Sequence, residues 1–340
     1  MERKLNVAYV GFGKSTNRYH IPYLLTRDKF NISRIVSPHL NKRIEQKILE
    51  MKGTIFSTSL SDILKDETID LVVIVTPAQT HYELIEHCLS AGKNVLCDKP
   101  IVEKSEELKN LIDIAKEKNL FFMPFQNRRF DSDFLTLKNI IKKGYLGKLT
   151  DLTVHMDHYR PQDINPSTKN FDGAWYGHGV HLVDQIISLF GKPKEVQYDI
   201  RTVRGEGADD YFSVNLIYDD FRATLSASET AVIPHPKWTL YGESGVFIKS
   251  TVDQQENDLK LGILPASKGF GLDNPNDYGK VTYFNQNGDR IEKTLPTERG
   301  DYARVYDSIY DTIVLGKEKL VSDEQMLQVV EILENGFLKV

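Results

Sequence analysis

The sequence predicts an α/β chain in which a doubly wound parallel sheet precedes an α+β part with a large, mainly antiparallel open sheet. As far as about residue 124, short apolar runs alternate with amphipathic helical stretches, the pattern of parallel strands covered by helices. From residue 125 onward, period-two segments and hairpin turns dominate, which favours antiparallel strands. We therefore predict two domains, residues 1–124 and 125–340.

Strands and helices alternate in the first domain. The predicted strands are residues 7–10, 32–36, 55–56, 71–75, 94–96 and 121–123, and the helices begin near Tyr19, Asn41, Ser59, Thr80 and Ser105. Residues 71–75 are apolar throughout, as expected of a strand covered on both faces. Thr80 and Glu83 have the spacing of a capping box, and Gly92 is placed to end the helix that they begin.

The second domain is predicted to combine helices with a sheet of hairpins. Its helices are residues 133–143, 181–190, 302–315 and 323–337, and its strands are 149–159, 196–203, 211–218, 222–229, 237–241, 246–250, 281–284 and 290–295. Asp219-Asp220 and Asn287-Gly288 are typical hairpin turns. One face of the sheet is expected to pack on helices and the other to be free. The loop 264–277 is expected to be a lid or an oligomer arm.

Composition excludes several classes of protein. The 43 basic and 48 acidic residues give a net charge of −5, so no nucleic-acid footprint is expected. Residues 71–75 form the longest solid apolar run, so no membrane span is expected. The residues after Met1 lead directly into the first strand, so no signal peptide is expected either. With only Cys88 and Cys97, the expected location is the reducing cytoplasm.

The first strand opens onto the glycine turn Gly11-Phe12-Gly13, followed by Lys14, Ser15 and Thr16. These residues match the dinucleotide fingerprint G-x-G-x-x-G of a Rossmann domain, with Thr16 in the third place. A phosphate is the natural ligand where a helix begins after such a turn. Two alternatives stay open: a purely structural turn, and a nucleoside-triphosphate loop beginning at Ala8. The second needs a strand ending in a magnesium-binding Asp, whereas residues 71–75 lead into Thr76-Pro77.

The residues after the second strand suggest which cofactor is bound. Where an NAD-selective site carries an acidic residue, this chain has Ser37-Pro38-His39, then Lys42 and Arg43. A hydroxyl with nearby cations suits a 2′-phosphate, so NADP(H) is the predicted cofactor and NAD(H) a possible one. The alternative is a solvated turn before a basic helix start.

Ligands of doubly wound sheets bind beyond the carboxyl ends of the strands. Those ends here are Gly11, Ser37, Thr76 and the pair Asp98-Lys99. Lys99 is therefore predicted to lie where a nicotinamide would, the alternative being an ordinary solvent-exposed lysine.

Five segments together resemble the Gfo/Idh/MocA family of NAD(P)-dependent oxidoreductases, which includes glucose-fructose oxidoreductase and inositol dehydrogenase. They are AYVGFGKST, VVIVTPAQTH, AGKNVLCDKP, QNRRFDSDF and GHGVHLVD, in the family's order and spacing. The similarity extends to about Ile233. It implies a hydride transfer between nicotinamide and a sugar, inositol or related hydroxy or carbonyl compound.

The resemblance also implies roles for individual residues. It assigns Lys99 and His181 to catalysis, and Gly11, Gly13, Thr76, Pro77 and His81 to cofactor binding. Further candidate cofactor contacts are Phe12, Lys14, Ser15 and Asp98. An Asp expected four residues before His181 is Gly177 here. Asp172, Tyr176 or Asp184 could replace it, and without a replacement the chain could be a non-catalytic NADP sensor or scaffold. The alternative roles of His181 and His81 are structural.

Lysine and histidine suit this chemistry because alcohol oxidation sends a hydride to nicotinamide and a proton to a base. A partly desolvated lysine beside a cationic ring loses its charge more readily. Lys99 would hydrogen-bond the reacting oxygen, and His181 would exchange the proton.

Candidate substrate contacts follow the sixth strand and surround the histidine block. They are Asn127, Arg128, Tyr159, Tyr176 and Asp184, with Arg129, Asp131, Arg160 and Trp175 nearby. These polar groups suit a polyol, and one of the aromatic side chains could stack on a sugar ring. Arg128 or Arg160 could equally bind a carboxylate or phosphate. The alternative role of Arg129 and Asp131 is purely structural, to hold the two domains together. The resemblance further implies a homodimer or homotetramer formed through the open sheet.

Overall fold

A computed structural model describes residues 3–38, 44–162, 164–167 and 169–338. The chain divides into two compact units. The first contains Met1–Asn127, Leu264–Ala266 and Tyr302–Val330, and the second contains Arg128–Ile263, Ser267–Asp301 and Glu331–Val340. The two domains predicted from the sequence, residues 1–124 and 125–340, are each continuous along the chain, and these ranges remain a prediction.

The first unit is built on a parallel sheet of the predicted kind. Its strands are β1 (Leu5–Val10), β2 (Phe30–Val36), β3 (Ile55–Ser57), β4 (Leu71–Ile74), β5 (Asn94–Cys97) and β6 (Phe122–Pro124). They lie in the order β3-β2-β1-β4-β5-β6, every neighbouring pair being parallel. All four residues of β4 are fully buried, as expected of a strand covered on both faces. The doubly wound parallel sheet is confirmed.

Helices connect these strands. They are α1 (Ile21–Leu24), α2 (Ile44–Met51), α3 (Ser61–Leu64), α4 (His81–Ser90) and α5 (Ser105–Glu117). A π-helical turn, Thr16–His20, precedes α1, and Pro22 lies in the first turn of α1, where its missing N–H costs no helical bond. The predicted Asn41 cap of α2 lies outside the described residues.

The predicted capping box of α4 is wrong. Thr80 precedes the helix, but its side chain makes no cap hydrogen bond. Its hydroxyl instead donates to the carbonyl oxygen of Pro77 at 2.8 Å and contacts the hydroxyl of Thr76 at 2.7 Å. In the 3₁₀ turn Ala78–Thr80 the hydroxyl is directed to these two oxygens.

The second unit contains the predicted large sheet. Its strands are β7 (Leu149–His155), β8 (Glu195–Arg201), β9 (Tyr211–Ile217), β10 (Arg222–Ser228), β11 (Trp238–Gly242), β12 (Gly245–Lys249), β13 (Gly279–Phe284) and β14 (Arg290–Leu295). The order is β14-β13-β12-β11-β7-β10-β9-β8, and β7 pairs with β10 in parallel while the other pairs are antiparallel. The mainly antiparallel sheet is therefore confirmed.

Hairpin turns lie where the sequence predicts them. Tyr218 donates its amide to Phe221 at 3.0 Å, which encloses Asp219-Asp220 between β9 and β10. Gly288, with φ +83°, lies in the turn between β13 and β14. Remaining helices are α6 (Ser132–Lys143), α7 (Val180–Phe190), α8 (Gln255–Lys260), α9 (Ala303–Leu315) and α10 (Asp323–Asn335). Helix α8 was not predicted, because its six residues carry little periodic signal.

Within the described residues, no helix has both the length and the hydropathy that crossing a membrane requires.

Candidate active site

The first strand ends in a turn that requires glycine. Gly11 has φ +105°, and a Cβ atom built on it would lie 2.4 Å from the carbonyl oxygen of Val75. Its amide donates to the carbonyl oxygen of Val36 at 2.8 Å. The chain here passes so close to Val75, directly after β4, that a side chain would meet backbone, and the positive φ disfavours other residues.

Gly13 leaves open space beside this turn. It is exposed, and no described residue comes within 4 Å of a Cβ atom built on it. The backbone becomes helical at Lys14 and Ser15, and the first amides of a helix lack intrahelical acceptors. An anionic diphosphate fits such a place.

Thr16 takes the third position of the glycine fingerprint. Its side chain is fully buried, and its hydroxyl donates to the carbonyl oxygen of Gly11 at 3.0 Å. The hydroxyl thus ties the helix to the turn.

Phe12 and Ser37 lie after β1 and β2. The Phe12 ring packs edge to face on Phe56 at 5.2 Å. Ser37 is buried, and its amide donates to the carbonyl oxygen of Ser57 at 3.0 Å. Arg43, predicted with Lys42 to favour NADP(H), lies outside the described residues.

His81 joins the segments that follow β4 and β5. One ring nitrogen lies 2.9 Å from the carbonyl oxygen of Pro100, and the other lies 3.0 Å from that of Thr76. His81 is buried, so it positions the residues next to Pro77 and Lys99.

Asp98 connects the glycine-turn helix to Lys99. Its carboxylate accepts the hydroxyl of Ser15 at 2.7 Å and the amide of Lys99 at 2.8 Å, and His20 Nε2 lies 3.9 Å away. Burial acts to raise the pKa of Asp98, but the attraction of His20 and Lys99 and the Ser15 hydrogen bond hold it below the ordinary value. Asp98 is therefore ionised beside Lys99 at neutral pH.

Behind Asp98 lies a buried polar chain that sequence reasoning missed. His20 Nδ1 lies 2.8 Å from the hydroxyl of Tyr306, which lies 3.0 Å from that of Tyr9. Burial raises the pKa of both tyrosines, so both stay protonated. Tyr306 is separated from His20 by 286 residues, and no local pattern signals such a contact.

In the second unit, the carboxylate of Asp184 forms a buried ion pair with Arg129. Arg129 donates from Nε to Oδ2 at 2.8 Å and from Nη2 to Oδ1 at 2.7 Å. Both side chains are more than nine-tenths buried. A two-bond pair of this kind fixes the start of α6 against α7.

The other predicted substrate residues differ in exposure. Asn127 and Tyr176 are buried, and the Tyr176 ring lies 5.0 Å from that of Phe171. Tyr159 is 57% exposed. Arg128 forms an ion pair with Glu256 at 2.9 Å.

His181 follows a π-helical turn, Trp175–Gly179, and lies buried at the start of α7. Gly177 is in this turn, and a Cβ atom on it would have no described residue within 4 Å. His178, which sequence reasoning also missed, lies 2.7 Å from Glu229 Oε1. Its position three residues before His181 was the available signal.

The strand order and the glycine turn define a dinucleotide-binding unit, joined in one chain to a second unit with a large open sheet. Together they define a two-unit protein of the dinucleotide-binding class. The chain belongs to the Gfo/Idh/MocA family. The family profile "Oxidoreductase family, NAD-binding Rossmann fold" matches residues 5–125, and "Oxidoreductase family, C-terminal alpha/beta domain" matches residues 138–340.

Named relatives agree with this membership. The chain is 42% identical over 335 residues to the uncharacterized oxidoreductase YhhX of Escherichia coli, covering 98% of this chain and 96% of YhhX. It is 32% identical over 335 residues to IolW of Bacillus subtilis, named scyllo-inositol 2-dehydrogenase (NADP(+)), covering 97% and 92%. A crystal structure of a Bacillus cereus oxidoreductase superposes with a TM-score of 0.96 at 44% identity, covering 99% of this chain and 97% of that one.

The chain is therefore an NAD(P)-dependent oxidoreductase. Family membership favours this activity over a non-catalytic sensor and over a nucleoside triphosphatase.

Proposed function

We propose that the chain is an NADP(H)-preferring oxidoreductase acting on a sugar, inositol or related hydroxy or carbonyl compound. The observation that carries the proposal is the hydrogen bond from Ser15 to Asp98. It couples the helix after the glycine turn to the segment that holds Lys99. The name of IolW supports an NADP-linked polyol reaction.

Gly11, Gly13 and the amides after them would hold the diphosphate, and NADP(H), when bound, accepts or supplies the hydride. Lys99 donates a hydrogen bond to the reacting oxygen, and ionised Asp98 beside it fixes the backbone of Lys99. His181 takes the alcohol proton in oxidation and returns it in reduction.

The preference for NADP(H) rests on Ser37 and on the sequence around Arg43. Ser37 provides a hydroxyl at the end of β2, and Lys42 and Arg43 supply cations that attract a 2′-phosphate. NAD(H) lacks that phosphate and would lose this attraction.

We also propose a homodimer or homotetramer formed through the open sheet, and a cytoplasmic location. Tyr241 and Ile248 are exposed on strands β11 and β12 of this sheet. Cys88 and Cys97 are both free thiols, which suits a reducing compartment.

Substitution of Lys99 tests the reaction. Polyols, aldoses and keto-sugars are screened with NADP(H) and NAD(H), and cofactor binding is followed by nicotinamide fluorescence. Lys99→Ala should retain the Kd for NADPH within a few-fold and lower kcat by about 100-fold or more, because it removes a hydrogen bond to the reacting oxygen. Lys104→Ala, at the residue before α5, is the matched control and should keep wild-type kcat.

Unchanged turnover in Lys99→Ala would refute the assigned role. The same titrations test the preference, since a wild-type Kd for NADH equal to or below that for NADPH would contradict it.

A further inference from the structure

Two groups of side chains in the second unit each combine two histidines with one carboxylate. They are His155, Asp157 and His235, and His158, His178 and Glu229. The His155 and His235 rings stack at 4.4 Å with planes only 17° apart. Nitrogen lone pairs lie in the ring plane, so two nearly parallel rings cannot both direct them at one ion between them.

The second group, which we call the His158 cluster, has better geometry. Its three ligand atoms lie within 4.8 Å of one another. The rings of His158 and His178 are tilted by 42°, with centres 4.9 Å apart. Two imidazoles bound to one tetrahedral zinc through nitrogens at about 2.0–2.1 Å place their ring centres about 5 Å apart. Small side-chain rotations therefore suffice to form a site.

The backbone holds this cluster firmly. The amide of His158 donates to the carbonyl oxygen of Ser228 at 2.8 Å, and the amide of Ala231 donates to that of His158 at 3.0 Å. These bonds fix His158 beside the segment that carries Glu229. The two side chains that meet directly are largely buried, His178 being 20% and Glu229 11% exposed, which limits competition from water.

Charge also suits a cation. Glu229 supplies a carboxylate beside the two imidazoles, and a negatively charged oxygen ligand attracts a metal ion. The other charged groups facing the cluster are Arg160, at 3.4 Å from Glu229, and Glu256. Arg160 is 42% exposed, so it can move aside.

We propose that His158, His178 and Glu229 bind one divalent transition-metal ion, zinc being the best match. Two imidazoles and one carboxylate are a common zinc ligand set, and they leave a fourth position open for water or another oxygen ligand. The metal would take the place of the direct contact between His178 and Glu229. This inference does not depend on the substrate proposed above.

Zinc titration of the chelator-treated full-length protein tests the site. Isothermal calorimetry and competition with a chromophoric zinc chelator should give one Zn²⁺ per chain and no comparable Mg²⁺ binding. Glu229→Gln and His178→Gln should each weaken zinc binding by at least about tenfold. His235→Gln is the matched control from the other group and should bind zinc as the wild type does.

Circular dichroism and thermal unfolding confirm that each variant is folded, and Glu229→Gln retains a side chain able to hydrogen-bond His178. Failure of the wild type to bind zinc would overturn the proposal. So would wild-type affinity in both cluster variants, or loss of binding in His235→Gln. Because no assay depends on turnover, failure here leaves the oxidoreductase proposal untouched.

Discussion

Gly177 lies in the π-helical turn Trp175–Gly179 where the family pattern has an Asp, and its backbone does not require glycine. Its φ is not positive, and a Cβ atom there would have no described residue within 4 Å. Gly179, two residues later, would place a Cβ atom 2.4 Å from the Trp175 ring, which is fully buried. One turn thus contains a replaceable glycine and an essential one.

Gly177→Asp is expected to fold with an unchanged Tm and to raise kcat, because a carboxylate near His181 would stabilise the imidazolium that forms as His181 takes the alcohol proton. Gly179→Ala, the control, should lose about 2 kcal/mol or more of stability, since the rigid core cannot absorb the overlap. Thermal unfolding and steady-state kinetics measure both. A large loss of stability in Gly177→Asp would contradict this account.

Asp209 provides a prediction about pH. Burial raises its pKa to about 6, although its Oδ2 accepts the amide of Trp175 at 2.7 Å. Its Oδ1 has no hydrogen-bond partner among the described residues. The unfolded chain loses this proton near pH 4, so from about pH 4 to 6 the folded state holds more protons and the free energy of unfolding falls as pH rises.

Asp209→Asn removes this titration, because an amide oxygen can still accept the Trp175 bond. The free energy of unfolding of the variant should exceed that of the wild type by about 1–3 kcal/mol. This difference should develop between pH 4 and 6 and stay constant at higher pH. Thermal unfolding at pH 4, 5, 6 and 8 checks this. Asp210→Asn should instead destabilise, since the Asp210 carboxylate pairs with Arg204 at 2.7 Å. Parallel Tm curves for Asp209→Asn and the wild type would contradict the prediction.

At the scale of elements, the glycine turn after β1 combines backbone strain with close contact. Gly11→Ala should lower the free energy of unfolding by about 3 kcal/mol or more. The alanine would have an unfavourable positive φ, and its Cβ atom would also overlap the Val75 carbonyl. Gly53→Ala shares the positive φ, at +91°, but meets open space. It should cost only about 1–2 kcal/mol.

Urea unfolding gives both losses, and NADPH fluorescence gives binding. Only Gly11→Ala should also weaken the binding of NADPH. Equal losses of stability in the two variants would show that close contact with Val75 contributes nothing.

The whole molecule has an open sheet face with apolar side chains. Ile248 on β12 is 37% exposed and Tyr241 on β11 is 47% exposed, while the alternate residues Phe247 and Leu240 are fully buried. Under the proposed assembly, Ile248→Glu should shift the protein to a smaller species, because it buries a charge at the interface.

Light scattering after size-exclusion chromatography measures this shift. Ile233→Glu, at a residue 83% exposed outside the strands, is the control and should leave the mass unchanged. A monomeric wild type, or an unchanged mass for Ile248→Glu, would contradict the assembly.

Local patterns predicted most of the fold. The spacing of apolar residues, and the glycines at the ends of helices, predicted the strands of both sheets to within a few residues of their observed bounds. They could do so because burial of one face of a strand or helix dictates the spacing of its apolar side chains. They failed where competing local bonds decided, as when Thr80 bonded Pro77 rather than the helix amides, and at the short helix α8. The assigned roles of Lys99 and His181 stay predictions.

The sequence by itself determined the fold class, the family and the glycine turn, because these depend on residue type at fixed local spacing. Only the tertiary structure decided that Asp98 lies between Ser15 and Lys99, that Arg129 occupies Asp184, and that His158, His178 and Glu229 converge. Their partners are distant in sequence, and the folding of the chain into packed sheets and helices, which no local pattern encodes, brings them together.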